Sequence, residues 1–164
     1  MNALPDEMRS GLSSHALLTA QLEALLSDER DFIANAAQFS AFIFQELPRL
    51  NWAGFYLYRD GGLVLGPFQG KVACVRIPLG SGVCGTAAER RETLLVPDVH
   101  AFPGHIACDS ASNSEIVLPL VKNGVLIGVF DIDSPELNRF DTNDQMGLER
   151  LIDSFLALTD TPAG

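Results

Sequence analysis

Two tight turns constrain this chain more than any other feature. Asp60-Gly61-Gly62 separates an aromatic run at 52–58 from an apolar run at 63–68, and Lys122-Asn123-Gly124 separates apolar runs at 115–121 and 125–131. Asp-Gly and Asn-Gly pairs adopt the left-handed backbone of short hairpin turns, and connections this short can join only antiparallel neighbours. The spacing therefore predicts two antiparallel hairpins, with additional strands at 73–77 and 93–96.

Either side of these hairpins the apolar period changes from that of a strand to that of a helix. Leu17, Leu18, Leu22, Leu25 and Leu26 predict a first helix, and Ser27 before Asp28-Glu29 reads as the cap of a second. The second presents Phe32, Ala36, Phe39, Ile43 and Leu47, and Pro48 ends it. Gly80-Ser81-Gly82-Val83-Cys84-Gly85-Thr86 leads into a short helix through Arg90. Asp141 caps a final helix with Met146, Leu148, Leu151, Ile152 and Phe155 turned inward. The order helix, helix, strands, short helix, strands, helix predicts an α+β fold, an antiparallel sheet with the N- and C-terminal helices packed on one side. At 164 residues a single domain over 1–164 is expected, with helices at about 13–47, sheet and pocket at about 51–133, and a last helix at about 141–158.

Composition narrows the classes of function. The formal net charge of −10 would repel a phosphate backbone, so nucleic acid is excluded as a partner. The first eleven residues lack a basic cluster followed by an apolar run, and no apolar stretch approaches the ~20 residues of a membrane helix, so a cytoplasmic protein without a membrane partner is expected. In that compartment thiols are kept reduced, which makes a cysteine cluster read as redox chemistry before scaffolding.

Such a cluster is present. The chain's three cysteines, Cys74, Cys84 and Cys108, lie close together in sequence, each among small residues. An odd number suits a relay in which one thiol attacks and another resolves better than it suits a static disulfide framework. Burial as small hydrophobes is the alternative for each one. Zinc would have to add His100 and His105, but there is no Cys-x-x-Cys pair. Residues 101–113 show no periodicity, contain Pro103, Gly104 and Cys108, and read as a functional loop.

Several strings along this part of the chain are shared with a known family. Gly66-Pro67-Phe68-Gln69-Gly70-Lys71, Gly82-Val83-Cys84-Gly85-Thr86, Gly104-His105-Ile106-Ala107-Cys108-Asp109, Ser112-Asn113-Ser114-Glu115-Ile116-Val117-Leu118-Pro119-Leu120 and Gly128-Val129-Phe130-Asp131-Ile132-Asp133-Ser134 occur in order. Together they resemble the free methionine-(R)-sulfoxide reductases, which are stand-alone GAF domains. The resemblance runs from about residue 51 to the C-terminal helix. It implies a GAF fold, no cofactor, and reduction of the free amino acid methionine-(R)-sulfoxide. It further implies that Glu115, Asp131 and Asp133 face the substrate, that Trp52 and Tyr56 line its methyl end, and that the cysteines carry the redox steps. In this pattern Cys108 attacks, its sulfenic acid condenses with Cys74 or Cys84, and thioredoxin reduces the disulfide. A homodimer through the N-terminal helices is common among GAF domains and is expected here.

The residues suit these roles. Asp131 and Asp133 are two apart on a strand and share a face, and Glu115 opens the strand one hairpin earlier. Acids converging beside apolar strands resist ionisation, so one can hold a proton for the S–O oxygen while the others meet the ammonium of a free amino acid. The alternative is that Asp131 and Asp133 cap the strand end before Ser134-Pro135. Trp52 and Tyr56, four apart, also share a face, where core packing is the simpler role. For the attacking thiol, local physics points to Cys84, because the start of a helix lowers a thiol's pKa, whereas the resemblance points to Cys108. Two rival functions remain in view, a GAF sensor module that binds a small molecule without catalysis and a thiol peroxidase.

Overall fold

Alternation along three central strands sorts the chain into two layers. In the computed structural model, which describes residues 12–104 and 111–162, the order is α1 (Leu12–Leu26), α2 (Phe32–Glu46), β1 (Trp52–Arg59), β2 (Gly62–Gly70), β3 (Arg76–Pro78), α3 (Gly82–Arg90), β4 (Leu94–Val96), β5 (Ser114–Lys122), β6 (Val125–Ser134) and α4 (Thr142–Leu158). The strands form one six-stranded sheet in the order β3-β2-β1-β6-β5-β4, every neighbouring pair antiparallel. Both predicted hairpins are present, with Arg59 paired to Gly62 and Lys122 to Val125.

Successive strand residues point to opposite faces. Ala53, Phe55 and Leu57 of β1, Ile116, Leu118 and Leu120 of β5, and Phe130 and Ile132 of β6 join one buried cluster with Leu22, Phe39, Ile43, Leu151 and Phe155 of the helices. α1, α2 and α4 thus cover one face, the α+β arrangement expected. Phe39, Phe55, Phe130 and Phe155 meet there with ring centroids 4.8–5.7 Å apart. Truncating such a buried ring costs about 3–5 kcal/mol, so this cluster anchors the helices. The opposite face gathers Trp52, Tyr56, Val83, Cys84, Ala87, Val117 and Val129 into a second cluster beneath α3. That second layer carries the chemistry.

Several boundaries differ from expectation for local reasons. α2 starts at Phe32, not after Ser27, because the Asp31 carboxylate accepts the Ala34 N–H at 2.9 Å. Ser27 instead donates to the Ala24 carbonyl at the end of α1. The third strand is only Arg76–Pro78. Residues 73–75 leave the ladder, although the Leu65 N–H still reaches the Val75 carbonyl. Leu17, Leu25 and Met146 lie on helices but are 58%, 44% and 51% exposed, so the inward assignment of Met146 is corrected. Asp141 does cap α4, through a reciprocal capping box with Asp144. Among the described residues no helix is long and apolar enough to cross a membrane.

α1 reaches α4 through one small residue. A Cβ on Gly147 would collide with the His15 ring, 2.5 Å from Nδ1 and 2.6 Å from Cδ2. Gly147→Ala is therefore expected to destabilise the fold by about 1–3 kcal/mol, the usual cost of overpacking, and to lower Tm by several degrees. Adding His15→Ala should recover most of that loss. An unchanged melting curve for the single variant would show that the helices slide apart without cost.

Candidate active site

Register, not sequence proximity, assembles the site. β6 lies between β1 and β5, with Asp133 opposite Glu115 on one side and Trp52 on the other. Asp131, one pair further along, stands opposite Val117 and Gly54. Glu115, Asp131 and Asp133 therefore share the face turned toward α3, together with Trp52 and Tyr56. All five predicted substrate-facing residues are brought together. Glu115 and Asp131 are buried, at 7% and 5% exposure, and Asp133 is half-buried.

The aromatic wall is layered. Trp52 stacks on Tyr56 at 5.8 Å and 24°, and on Phe68 at 5.2 Å and 17°. Phe68, from β2, has no role in the sequence reading, since only pairing between β1 and β2 reveals that it continues the stack. Both polar ends are tied to backbone. Trp52 Nε1 donates to the Lys71 carbonyl at 3.1 Å, and Tyr56 Oη donates to the Cys74 carbonyl at 2.9 Å. The wall is thereby anchored to the segment that carries Cys74.

α3 delivers Cys84 from the other side. It packs close to the sheet because Gly85 has no side chain, and a Cβ there would strike the Pro78 carbonyl oxygen. Cys84 Sγ and one carboxylate oxygen each from Glu115 and Asp131 all lie within 4.8 Å of one another. Cys84 is a free, buried thiol. Burial pushes its pKa well above the ordinary value, and the negative charge of Asp131 and Glu115 adds to the shift. The low-pKa thiol expected from a helix start is thus overturned, since desolvation and nearby acids outweigh a partial helix charge. Cys74 is half-buried and disulfide-bonded. Cys108 lies outside the described residues, as does His105. His100 is exposed, with Nε2 3.1 Å from Asn113 Oδ1, and so stands apart from the acids.

The acids perturb one another. Glu115 is pushed well above the usual carboxylate range, first by burial and then by Asp131. Asp131 is pushed up by burial and then by the charge of Asp133. Asp131 therefore feels both Glu115 and Asp133 as well as the Cys84 thiol. Asp131 Oδ1 is buried without any hydrogen-bond partner. A buried carboxylate oxygen left unsatisfied costs free energy that a bound cation would recover. The cluster is thus a set of buried acids, one with an unsatisfied carboxylate oxygen, beside a flat aromatic wall.

Buried serines that sequence reasoning passed over hold the two acid-bearing strands in place. Ser114 Oγ donates to the Glu136 carbonyl at 2.5 Å and accepts the Arg139 N–H at 3.2 Å. Its ladder partner Ser134 donates to the Arg49 carbonyl at 2.6 Å and accepts the Glu136 N–H at 3.1 Å. Asn51 Nδ2 donates to Ser112 Oγ at 3.0 Å, joining the strand entry of Trp52 to the far stem of the 101–113 loop. Apart from the local Ser134–Glu136 bond, these partners are tens of residues apart, and no short-range sequence signal marks them.

Residues 34–155 match the family model for the GAF domain. The free methionine-R-sulfoxide reductase of Escherichia coli (strain K12) is 54% identical over 149 residues, covering 89% of this chain and 90% of that protein. This chain belongs to the free methionine-R-sulfoxide reductase family of GAF-domain proteins. The reductase of the same name from Saccharomyces cerevisiae is 45% identical over 142 residues, covering 82% of this chain and 79% of its own length. The X-ray structure of free methionine-R-sulfoxide reductase from Neisseria meningitidis in complex with its substrate superposes with a TM-score of 0.84 at 42% identity, covering 96% of this chain and 95% of that one. The reductase family thus shares the entire sheet and helical layer described above.

Proposed function

We propose that this protein reduces free L-methionine (R)-sulfoxide to L-methionine, with Glu115, Asp131 and Asp133 as the polar floor of the substrate site. The observation that carries this reading is the unpartnered, buried Asp131 Oδ1 among three convergent acids beside the Trp52–Tyr56–Phe68 wall. The substrate's ammonium meets Asp131 and Asp133, its methyl group lies against the aromatic wall, and Glu115 gives its proton to the S–O oxygen. Protonation makes the sulfur electrophilic and the oxygen transferable.

Cys108 then attacks. Its sulfur takes the oxygen and becomes a sulfenic acid, while the substrate sulfur is reduced to the thioether. Cys74 condenses with that sulfenic acid, releasing water and leaving a disulfide. The disulfide-bonded state of Cys74 and the free, high-pKa thiol of Cys84 support Cys74 as the resolving partner. Cys84 then serves the pocket floor, its Sγ within 4.8 Å of a carboxylate oxygen of Asp131. Thioredoxin, a dithiol reductant, returns the disulfide to thiols in a cytoplasmic setting. The apolar side chains Leu17 and Leu25, exposed on α1, support a homodimer through the N-terminal helices.

Selectivity for the free amino acid tests this. An N-acetylated substrate keeps the sulfoxide but has no ammonium, so the buried carboxylates would lose their counter-charge. Leaving such a partner unpaired costs about 3–5 kcal/mol, so kcat/KM is expected to fall by about 10²–10⁴-fold. Equal turnover of the acetylated and free sulfoxides, measured as methionine released, would remove the ammonium site.

A further inference from the structure

The same three side chains that floor the pocket are also a donor set for a metal ion. The geometry points to a buried binding site for a thiophilic divalent cation of the zinc class, formed by Cys84 Sγ, Glu115 and Asp131. The three donor atoms lie within 4.8 Å of one another and all three residues are buried. A four-coordinate zinc ion, with Zn–S about 2.3 Å and Zn–O about 2.1 Å, needs donor separations of about 3.4–3.6 Å. Side-chain rotations on the order of 1 Å close that difference.

A second observation, the unmet hydrogen-bonding capacity of one of these side chains, also points to a cationic ligand. Asp131 Oδ1 is buried and has no hydrogen-bond partner, so its carboxylate keeps lone pairs unused beside Cys84 and Glu115. The donor set also selects the ion. One sulfur with two oxygens favours Zn²⁺, Co²⁺ or Cd²⁺ over Mg²⁺ or Ca²⁺, which take oxygen alone. Three protein donors leave a fourth position for water, as in exchangeable rather than structural zinc sites. His100 takes no part, lying beside Asn113 instead.

A consequence follows for activity, and it rests on the substrate placement proposed above. The cation and the substrate's ammonium would occupy the same carboxylate oxygen, so each excludes the other. Any route that admits a free amino acid also admits a hydrated ion. Free zinc would then be a competitive inhibitor that holds the enzyme silent without oxidising a thiol.

Cobalt spectroscopy on a single-thiol chain tests binding directly. In the full-length Cys74→Ser/Cys108→Ser protein, kept reduced by a non-chelating phosphine, Cys84 is the one remaining thiol. Adding Co²⁺ should produce a near-ultraviolet thiolate-to-cobalt band that saturates at about one equivalent and is bleached by Zn²⁺. Asp131→Asn and Glu115→Gln in that background should each weaken cobalt at least about tenfold, as removal of a ligand does, with unchanged circular dichroism. No band, or a band whose affinity is the same in both carboxylate variants, would overturn the site. L-methionine should weaken cobalt further than an equal concentration of glycine, which corrects for chelation in solution. If cobalt binds through all three residues yet methionine competes no better than glycine, the cation site stands and the substrate placement fails.

Discussion

Replacing Glu115 by Gln is expected to lower kcat by about 10²–10⁴-fold, the usual contribution of a positioned general acid. Burial and Asp131 push the Glu115 carboxyl well above its ordinary range, so it still holds a proton where an exposed glutamate would be ionised. The sign of the pH dependence follows. A required acid with a raised pKa is competent below that pKa, and activity falls as pH rises through it. A kcat profile from about pH 5 to about pH 9 should therefore show a descending limb in the native protein, and the Gln variant should lose it. Asp131→Asn and Asp133→Asn should act mainly on KM, because they weaken ammonium binding without removing the proton donor. A Glu115→Gln enzyme with native kcat would assign the proton elsewhere, with Asp131, also raised, the next candidate.

The second large effect separates the cysteines. Without reductant, an attacking thiol is needed for the first turnover, whereas a resolving thiol is needed only for recycling. Methionine formed in stoichiometric reaction should vanish in Cys108→Ser. In Cys74→Ser it should persist at about one equivalent, while multiple turnover with thioredoxin collapses because the sulfenic acid finds no partner. Cys84→Ser should also keep its first equivalent, since its thiol is buried among acids and disfavours the thiolate. Loss of the first equivalent in Cys84→Ser, with its retention in Cys108→Ser, would reverse the assignment.

The two hairpins, the shared strand faces and the capping of the last helix were all legible in sequence, because each depends on residues a few positions apart. Asp60-Gly61 and Asn123-Gly124 supply the turns, and Ala53, Phe55 and Leu57 alternate with Trp52 and Tyr56. The start of α2 was less legible, because Ser27 and Asp31 are both good caps, and in the fold Asp31 takes the Ala34 N–H while Ser27 turns back to Ala24. Met146 fits the helical period of α4 but falls outside its buried face, since period alone does not say how wide a stripe the neighbours cover.

At the site, the strand period of two is enough to say which residues share a face. Asp131 with Asp133, and Trp52 with Tyr56, follow from a period of two. Their membership of one pocket came from pairing register. β6 sits between β1 and β5, and a slip of one residue would turn Glu115 into the helical core. The state of Cys84, by contrast, depends on what the fold packs around it. Its place at the start of α3 argues locally for a reactive thiolate, yet the fold buries it against Asp131 and Glu115 and raises its pKa instead. Turn chemistry and alternation act through neighbouring bonds and can be read along the chain. Desolvation and charge depend on side chains that the fold brings from distant strands, and no local pattern encodes that.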